Sequence, residues 1–230
     1  MGRQIVVGNP PIEVGVRRSG RARRLSLRIS RLDGRVTLTM PHGVAESEGR
    51  AFVASREEWL RGHLGGLGDV VVPRLGSSVP YQGNTLELRV GDVRRVVERE
   101  GTLILPDEPE RVGARVQAFL RTKARDRLAE ASDRYASELE VSYRRLSLRD
   151  TRSRWGSCTT AGDLMYSWRL IMAPREVLDY VVAHEVAHLV EMNHSQAFWD
   201  VVESIFPTHR ACRKWLKQHG ESLHRVRFEN

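Results

Sequence analysis

Between Leu25 and Met40 apolar and polar residues alternate along the chain. Leu25, Leu27 and Ile29 interleave with Ser26, Arg28 and Ser30, and Val36, Leu38 and Met40 resume the pattern before Pro41. A period of two marks half-buried strands, and Asp33-Gly34 between the runs supplies turn chemistry, so the segment is expected to be a hairpin. From Glu46 to Leu64 the period changes: Phe52, Val53, Trp59, Leu60 and Leu64 fall on one face of a helix. A glycine-rich stretch, 65–78, then breaks the helix and begins a loop. Short strand-like runs come next at 85–90, 93–98 and 102–105, separated by Gly91-Asp92 and Glu100-Gly101. Residues 1–106 therefore read as a strand-rich N-terminal part carrying one helix.

Pro106 to Pro109 forms a boundary, and a second part is expected over 107–230. Val112, Val116, Phe119, Leu120, Leu128, Ala131, Tyr135 and Leu139 recur near helical spacing and predict one long amphipathic helix. Two strands are expected around Leu146–Arg152 and Leu164–Met172, joined through 154–162. Pro174 suits the first turn of a helix that runs through Tyr180 into the segment HEVAHLVEMNH, 184–194. Helical spacing returns at 195–206 and 209–220. The fold class is α+β: strands first, then a mainly helical part with a small sheet.

Composition narrows the setting. Of 230 residues, 40% are hydrophobic and 29% charged, as in ordinary soluble globular proteins. No apolar run is long enough to span a bilayer, and the first twenty residues lack the apolar core of a signal peptide, so a cytoplasmic location with no membrane contact is expected. Cys158 and Cys212 belong to no CxxC and are expected as reduced thiols. The net charge of +8 favours acidic partners. Arg17, Arg18, Arg21, Arg23 and Arg24 concentrate it, either as solvated surface or as a weak, salt-sensitive contact for nucleic acid or another polyanion.

The chemistry concentrates in 184–194. On an α-helix His184 and His188 lie one turn apart on the same face and present two imidazoles to one point. Glu185 projects about 100° round the helix, where a carboxylate reaches a metal-bound water better than the metal itself. This is the HExxH arrangement of two zinc ligands and a general base. A catalytic zinc also needs a third protein ligand and an open position for water. His194 is the candidate, although on a continued helix it would point roughly 240° from His188. The helix is therefore expected to turn at Met192–Asn193, with Asn193 to Gln196 spaced as a capping box. One zinc per chain is expected.

Around these residues the sequence resembles a known family. SRWGSC (153–158), WRLIMAP (168–174), YVVAHEVAHLVEMNHSQAFW (180–199), RKWL (213–216) and the hairpin RRLSLRISRLDGRVTLTMPHGV are similar to the YgjP-like metallopeptidase-domain proteins. These relate more distantly to SprT-type minimal zincins, which process protein attached to DNA. The resemblance implies a zincin-like hydrolase acting on protein or peptide, with His184, His188 and His194 as zinc ligands and Glu185 as general acid/base. Two positions depart from related patterns. Glu191 stands where metzincins need glycine, and Ser167 stands where asparagine is common in the YgjP-like strand.

Other residues have two readings each. Residues 164–172 could form a substrate-aligning edge strand or an ordinary interior one. Cys158 could be a nucleophile or a small buried hydrophobe. His209 and Arg210 could face the cleft or lie in a solvated connector, while Phe198, Trp199 and Trp215 read as core under the zinc. Two rival functions share the same metal site. A metal-dependent phosphohydrolase on nucleotides would use the arginine excess, but three histidines favour zinc over Mg²⁺. A nucleic-acid-associated protein with structural zinc would want a fourth protein ligand, often Cys.

Overall fold

The computed structural model describes residues 4–30, 34–65 and 70–228. The chain divides into two compact units, Met1–Val70 and Val71–Asn230.

In the first unit four strands form one sheet: β1 (Gln4–Val7), β2 (Ile12–Arg18), β3 (Ser26–Ile29) and β4 (Val36–Met40), in the order β1-β2-β4-β3. β3 and β4 are the expected antiparallel hairpin, with Leu27 opposite Leu38. Asp33 of its turn lies outside the described residues, while Gly34 takes a positive φ of 68°. β2 runs parallel to β4 and places Val14 and Val36 on one face. That face is buried, with Ile5, Leu38, Met40, Val53 and Leu60 in the same core. The single helix expected over 46–64 is two, α1 (Glu46–Ala54) and α2 (Glu57–Gly65). The break falls at Ser55, whose Oγ donates to the Phe52 carbonyl and so competes with the helical pattern. Residues 66–69 of the expected glycine-rich loop lie outside the described residues. Arg18 leaves the arginine cluster for a structural task, donating to the carbonyls of His42 and Val44 at 2.9 Å each. Arg17, Arg21, Arg23 and Arg24 are exposed.

The second unit starts with a mixed sheet of β5 (Ser78–Tyr81), β6 (Asn84–Val90), β7 (Val97–Arg99) and β8 (Thr102–Leu105), in the order β5-β6-β8-β7. The boundary expected at 106 falls inside this unit. Leu86, Leu88, Leu103 and Leu105 share their core with Val116, Leu120 and Leu128 of α3 (Val112–Glu138), so the sheet and the long helix after it pack as one body. A second sheet contains β9 (Arg145–Arg149), β10 (Gly156–Cys158) and β11 (Asp163–Ser167). β11 is central, antiparallel to β10 and parallel to β9. It is thus interior, and residues 168–172 continue as a 3₁₀ turn rather than as strand. Helices α4 (Arg175–Ala187), α5 (Gln196–Ile205) and α6 (His209–His219) complete the unit. Arg127 of α3 clamps α4 through both oxygens of Asp179, at 2.7 and 2.6 Å. No helix among the described residues is long and apolar enough to cross a membrane.

Residues 225–227 are sewn into this unit. Val71 N–H donates to the Arg225 carbonyl, Arg227 N–H donates to the Val71 carbonyl, and Val71 bridges Val226. Just before it, the His224 ring lies 5.0 Å from Trp155. Burial, and then the charge of Arg169, push His224 down to about 4. Between its ordinary value near 6.5 and about 4, the unfolded chain carries the proton and the folded one does not. Stability from His224 is therefore complete above pH 6.5 and is lost as pH falls toward 4. Melting curves from pH 7 to pH 4 should show a smaller acid-induced drop for His224→Gln than for wild type. Parallel curves would mean that His224 is not held neutral.

Candidate metal centre and active site

The site begins on α4, whose Val181, Val182, Ala183, Val186 and Ala187 are buried and fix the roll of the helix. His184 and His188 then share one face, ring centroids 5.1 Å apart. The helix closes at Ala187, earlier than the turn expected at Met192–Asn193. His188 is its C-cap with φ −65° and ψ −16°, and the carbonyls of Val186 and Ala187 accept from Leu189 and Val190 in a tightened last turn. Asn193 is not the cap: its backbone N–H and Nδ2 both donate to Glu191 Oε1, and it lies two residues before the N-cap position. The N-cap of α5 is Ser195, whose Oγ accepts from Phe198 N–H at 3.4 Å.

This different turn still returns His194 to the other two histidines. Its Nε2 stands 3.1 Å from His184 Nε2, and its ring centroid 4.7 Å from that of His188. One nitrogen from each ring lies within 4.8 Å of the others. Phe198, fully buried, holds all three: it stacks on His188 at 4.4 Å and meets His184 and His194 edge-on at 4.9 and 4.7 Å. His188 Nδ1 donates to the Glu191 carbonyl at 3.1 Å, which frees Nε2 for the cluster. The position where a metzincin needs glycine thus contributes its carbonyl here.

These residues fit a metal. Tetrahedral zinc at about 2.0–2.1 Å from nitrogen sets its ligands about 3.3 Å apart, close to the 3.1 Å spacing of the two Nε2 atoms. Burial, then His188 and His194, push His184 down to about 3, and burial lowers His188 as well. Both stay neutral at physiological pH, the form that ligates.

Glu185 lies outside the three-nitrogen group and is 7% exposed. It points toward β10, where the Cys158 N–H donates to its carboxylate. Burial pushes the carboxyl up to about 8, with that hydrogen bond and the charge of Arg154 acting in the opposite sense. A carboxyl in this range can take and return a proton near neutral pH.

A match over most of the chain decides the family: the YgjP-like metallopeptidase-domain model covers residues 23–219, from the hairpin through α6. The chain belongs to the YgjP-like family. As a YgjP-like protein it is a metallopeptidase-domain hydrolase, and the three-histidine group is where its metal could be held. Among solved structures it is similar to the metallopeptidase zymogen of Pyrococcus abyssi abylysin, at 20% identity and a TM-score of 0.37, over 43% of this chain and 97% of that one. No curated protein matches.

The remaining candidates of this YgjP-like chain settle into structural positions. Ser167 is fully buried at the end of β11. His209 is 4% exposed rather than solvated, and its Nε2 meets Glu203 Oε2 at 3.0 Å. Glu203 also pairs with Arg210 and stands apart from the histidine group. Burial, then Glu185, push the Cys158 thiol up to about 11, so it is no thiolate near neutral pH. Trp199 is half-buried and bridges the rings, 5.8 Å from His184 and 5.4 Å from His209, while Arg213 lies 5.1 Å over it. The Glu191 carbonyl and the Cys158 N–H are invisible in the sequence, since backbone groups leave no residue-type signal.

Proposed function

We propose that this chain is a zinc-dependent peptidase in which His184, His188 and His194 hold the ion and Glu185 is the general base. The observation that carries the reading is the convergence of three imidazoles beside a buried carboxyl that is not one of them. Three nitrogen donors favour zinc over Mg²⁺ or Ca²⁺, which prefer oxygen, and no carboxylate joins the group among the described residues. When bound, the ion supplies Lewis acidity, polarising a carbonyl and making water a stronger acid.

The chain's own residues do the rest. Glu185 accepts the proton of the attacking water and returns it to the departing amine nitrogen, as its raised proton affinity suits it to do. Phe198 packs against all three rings and fixes their mutual orientation. β11 is paired on both edges, by β10 and β9, so residues 163–167 have no free edge along which an extended peptide could be aligned. The exposed arginines of the first unit are not part of this reading; weak polyanion contact there is a separate proposal.

Protein purified without chelator is expected to carry one zinc per chain by metal analysis, and His188→Ala or His194→Ala to lose stoichiometric loading. Full occupancy in His194→Ala would place the third ligand elsewhere. A parallel screen of denatured proteins, DNA–protein conjugates and nucleoside triphosphates separates the peptidase from a phosphohydrolase. Turnover of the triphosphates alone would sink the peptidase reading.

A further inference from the structure

The tripeptide Trp155-Gly156-Ser157 opens β10, and one contact accounts for its glycine. A Cβ added at Gly156 would stand 2.6 Å from both Cγ and Oε1 of Glu185, and 2.8 Å from its Cδ. No side chain fits there while Glu185 keeps its place. The glycine is not needed for backbone freedom, because Gly156 sits in ordinary strand pairing opposite Tyr166 and is absent from the positive-φ residues. What it supplies is space.

The same strand supplies a hydrogen bond. β10 turns alternate residues toward β11: the Trp155 carbonyl accepts from Ser167 N–H, and Thr159 N–H donates to the Asp163 carbonyl. The backbone groups of Gly156 and Cys158 therefore face the opposite edge, where Glu185 lies, and the Cys158 N–H donates to its carboxylate. The strand cannot retreat to make room. Trp155 is packed against Gly220, where an added Cβ would come 3.0 Å from its Cζ2, and against the His224 ring. Of the partners in this contact, the Glu185 side chain is the one free to swing away.

We propose that Gly156 and the Cys158 N–H form a cradle on β10 that positions the Glu185 carboxylate for proton transfer. The inference rests on the assignment of Glu185 as the base. Gly156 is a positioning residue: the three atoms nearest to an added Cβ all belong to Glu185, so its replacement should separate metal holding from proton transfer.

The test is the cycle of Gly156→Ala and Glu185→Ala, made in the full chain and read by thermal unfolding and zinc content. Gly156→Ala alone should lower the melting midpoint, whereas in the Glu185→Ala background it should not, because the clash has gone. Zinc should remain at one per chain in all four proteins. With fluorescein-labelled casein as probe, Gly156→Ala should lower kcat about 100-fold with KM unchanged, the size of loss expected from displacing a reacting group by about 1 Å. Additive melting shifts would overturn the proposal, as would wild-type kcat in Gly156→Ala beside an inactive Glu185→Gln. A fully active Glu185→Gln would instead remove the base assignment, a failure recognisable from that variant alone.

Discussion

Glu185→Gln is expected to fold, to bind one zinc per chain and to lose turnover by about 10²–10⁴-fold, the usual contribution of a positioned general base. The amide keeps the shape of the carboxylate and fits the space above Gly156, but it cannot take a proton. The magnitude comes from where the group sits. At 7% exposure Glu185 is screened from bulk water, and its raised proton affinity brings its working range near neutral pH. Bulk buffer has little access to replace it. Steady-state rates on casein, with zinc measured on the same samples, provide the check, and wild-type turnover in the zinc-loaded variant would end the assignment.

The largest effect on stability is expected at Arg169, far from the chemistry in role. Its Nε and Nη2 bind both oxygens of Asp150 at 2.6 and 3.1 Å, and its Nη1 donates to the carbonyls of Leu223 and Val226 at 2.9 and 3.0 Å. The guanidinium lies over Trp168 and Phe228. Arg169→Ala leaves two carbonyls and a carboxylate without their donor in a buried place. Breaking such a buried network costs about 3–5 kcal/mol. Asp150 is 44% exposed and recovers part of its loss from water, so about 3 kcal/mol is the better figure. For a unit of this size that is a fall of about 10 °C in the midpoint. Lysine should rescue little of it, since a point charge cannot reproduce the planar fork. A shift of only a degree or two in Arg169→Ala would show that the network is not holding the C-terminal segment.

The histidine cluster is legible in the sequence because its rule is local: His184 and His188 are tied by helical spacing, whatever surrounds them. The cap is not. Asn193 and Ser195 are both good N-cap residues, and the position of the first turn of α5 decides between them: Ser195 Oγ is the one that accepts from Phe198 N–H. Sheet membership is hidden for a similar reason. The alternation in 85–90 and 102–105 predicts strands, but not that their buried face belongs to α3, which comes later in the chain. β11 shows the limit again: with Leu164, Tyr166 and Ser167 buried, it has the look of an interior strand only once both neighbours are known. β2 and β5 escape the pattern because Gly15 and Pro80 interrupt them, and β1 because it is only four residues long. Gly156 carries no signal at all, since a lone glycine in a strand says nothing about which side chain occupies its space.

The pairing of Val71 with residues 225–227 gives the second unit the connectivity of a ring. Its first and last described residues lie side by side, so a short linker could join them and new ends could be opened at an outlying turn such as Gly91-Asp92 without crossing the core. By the same logic residues 221–228 are a poor place for deletions. Removing residues 221–228 would take away the strand partner of Val71, the carbonyls that hold Arg169 and the ring packed on Trp155. The loosening would then spread from Trp155 along β10 to the carboxylate at position 185, so the segment that closes the ring also holds β10 in register with Glu185.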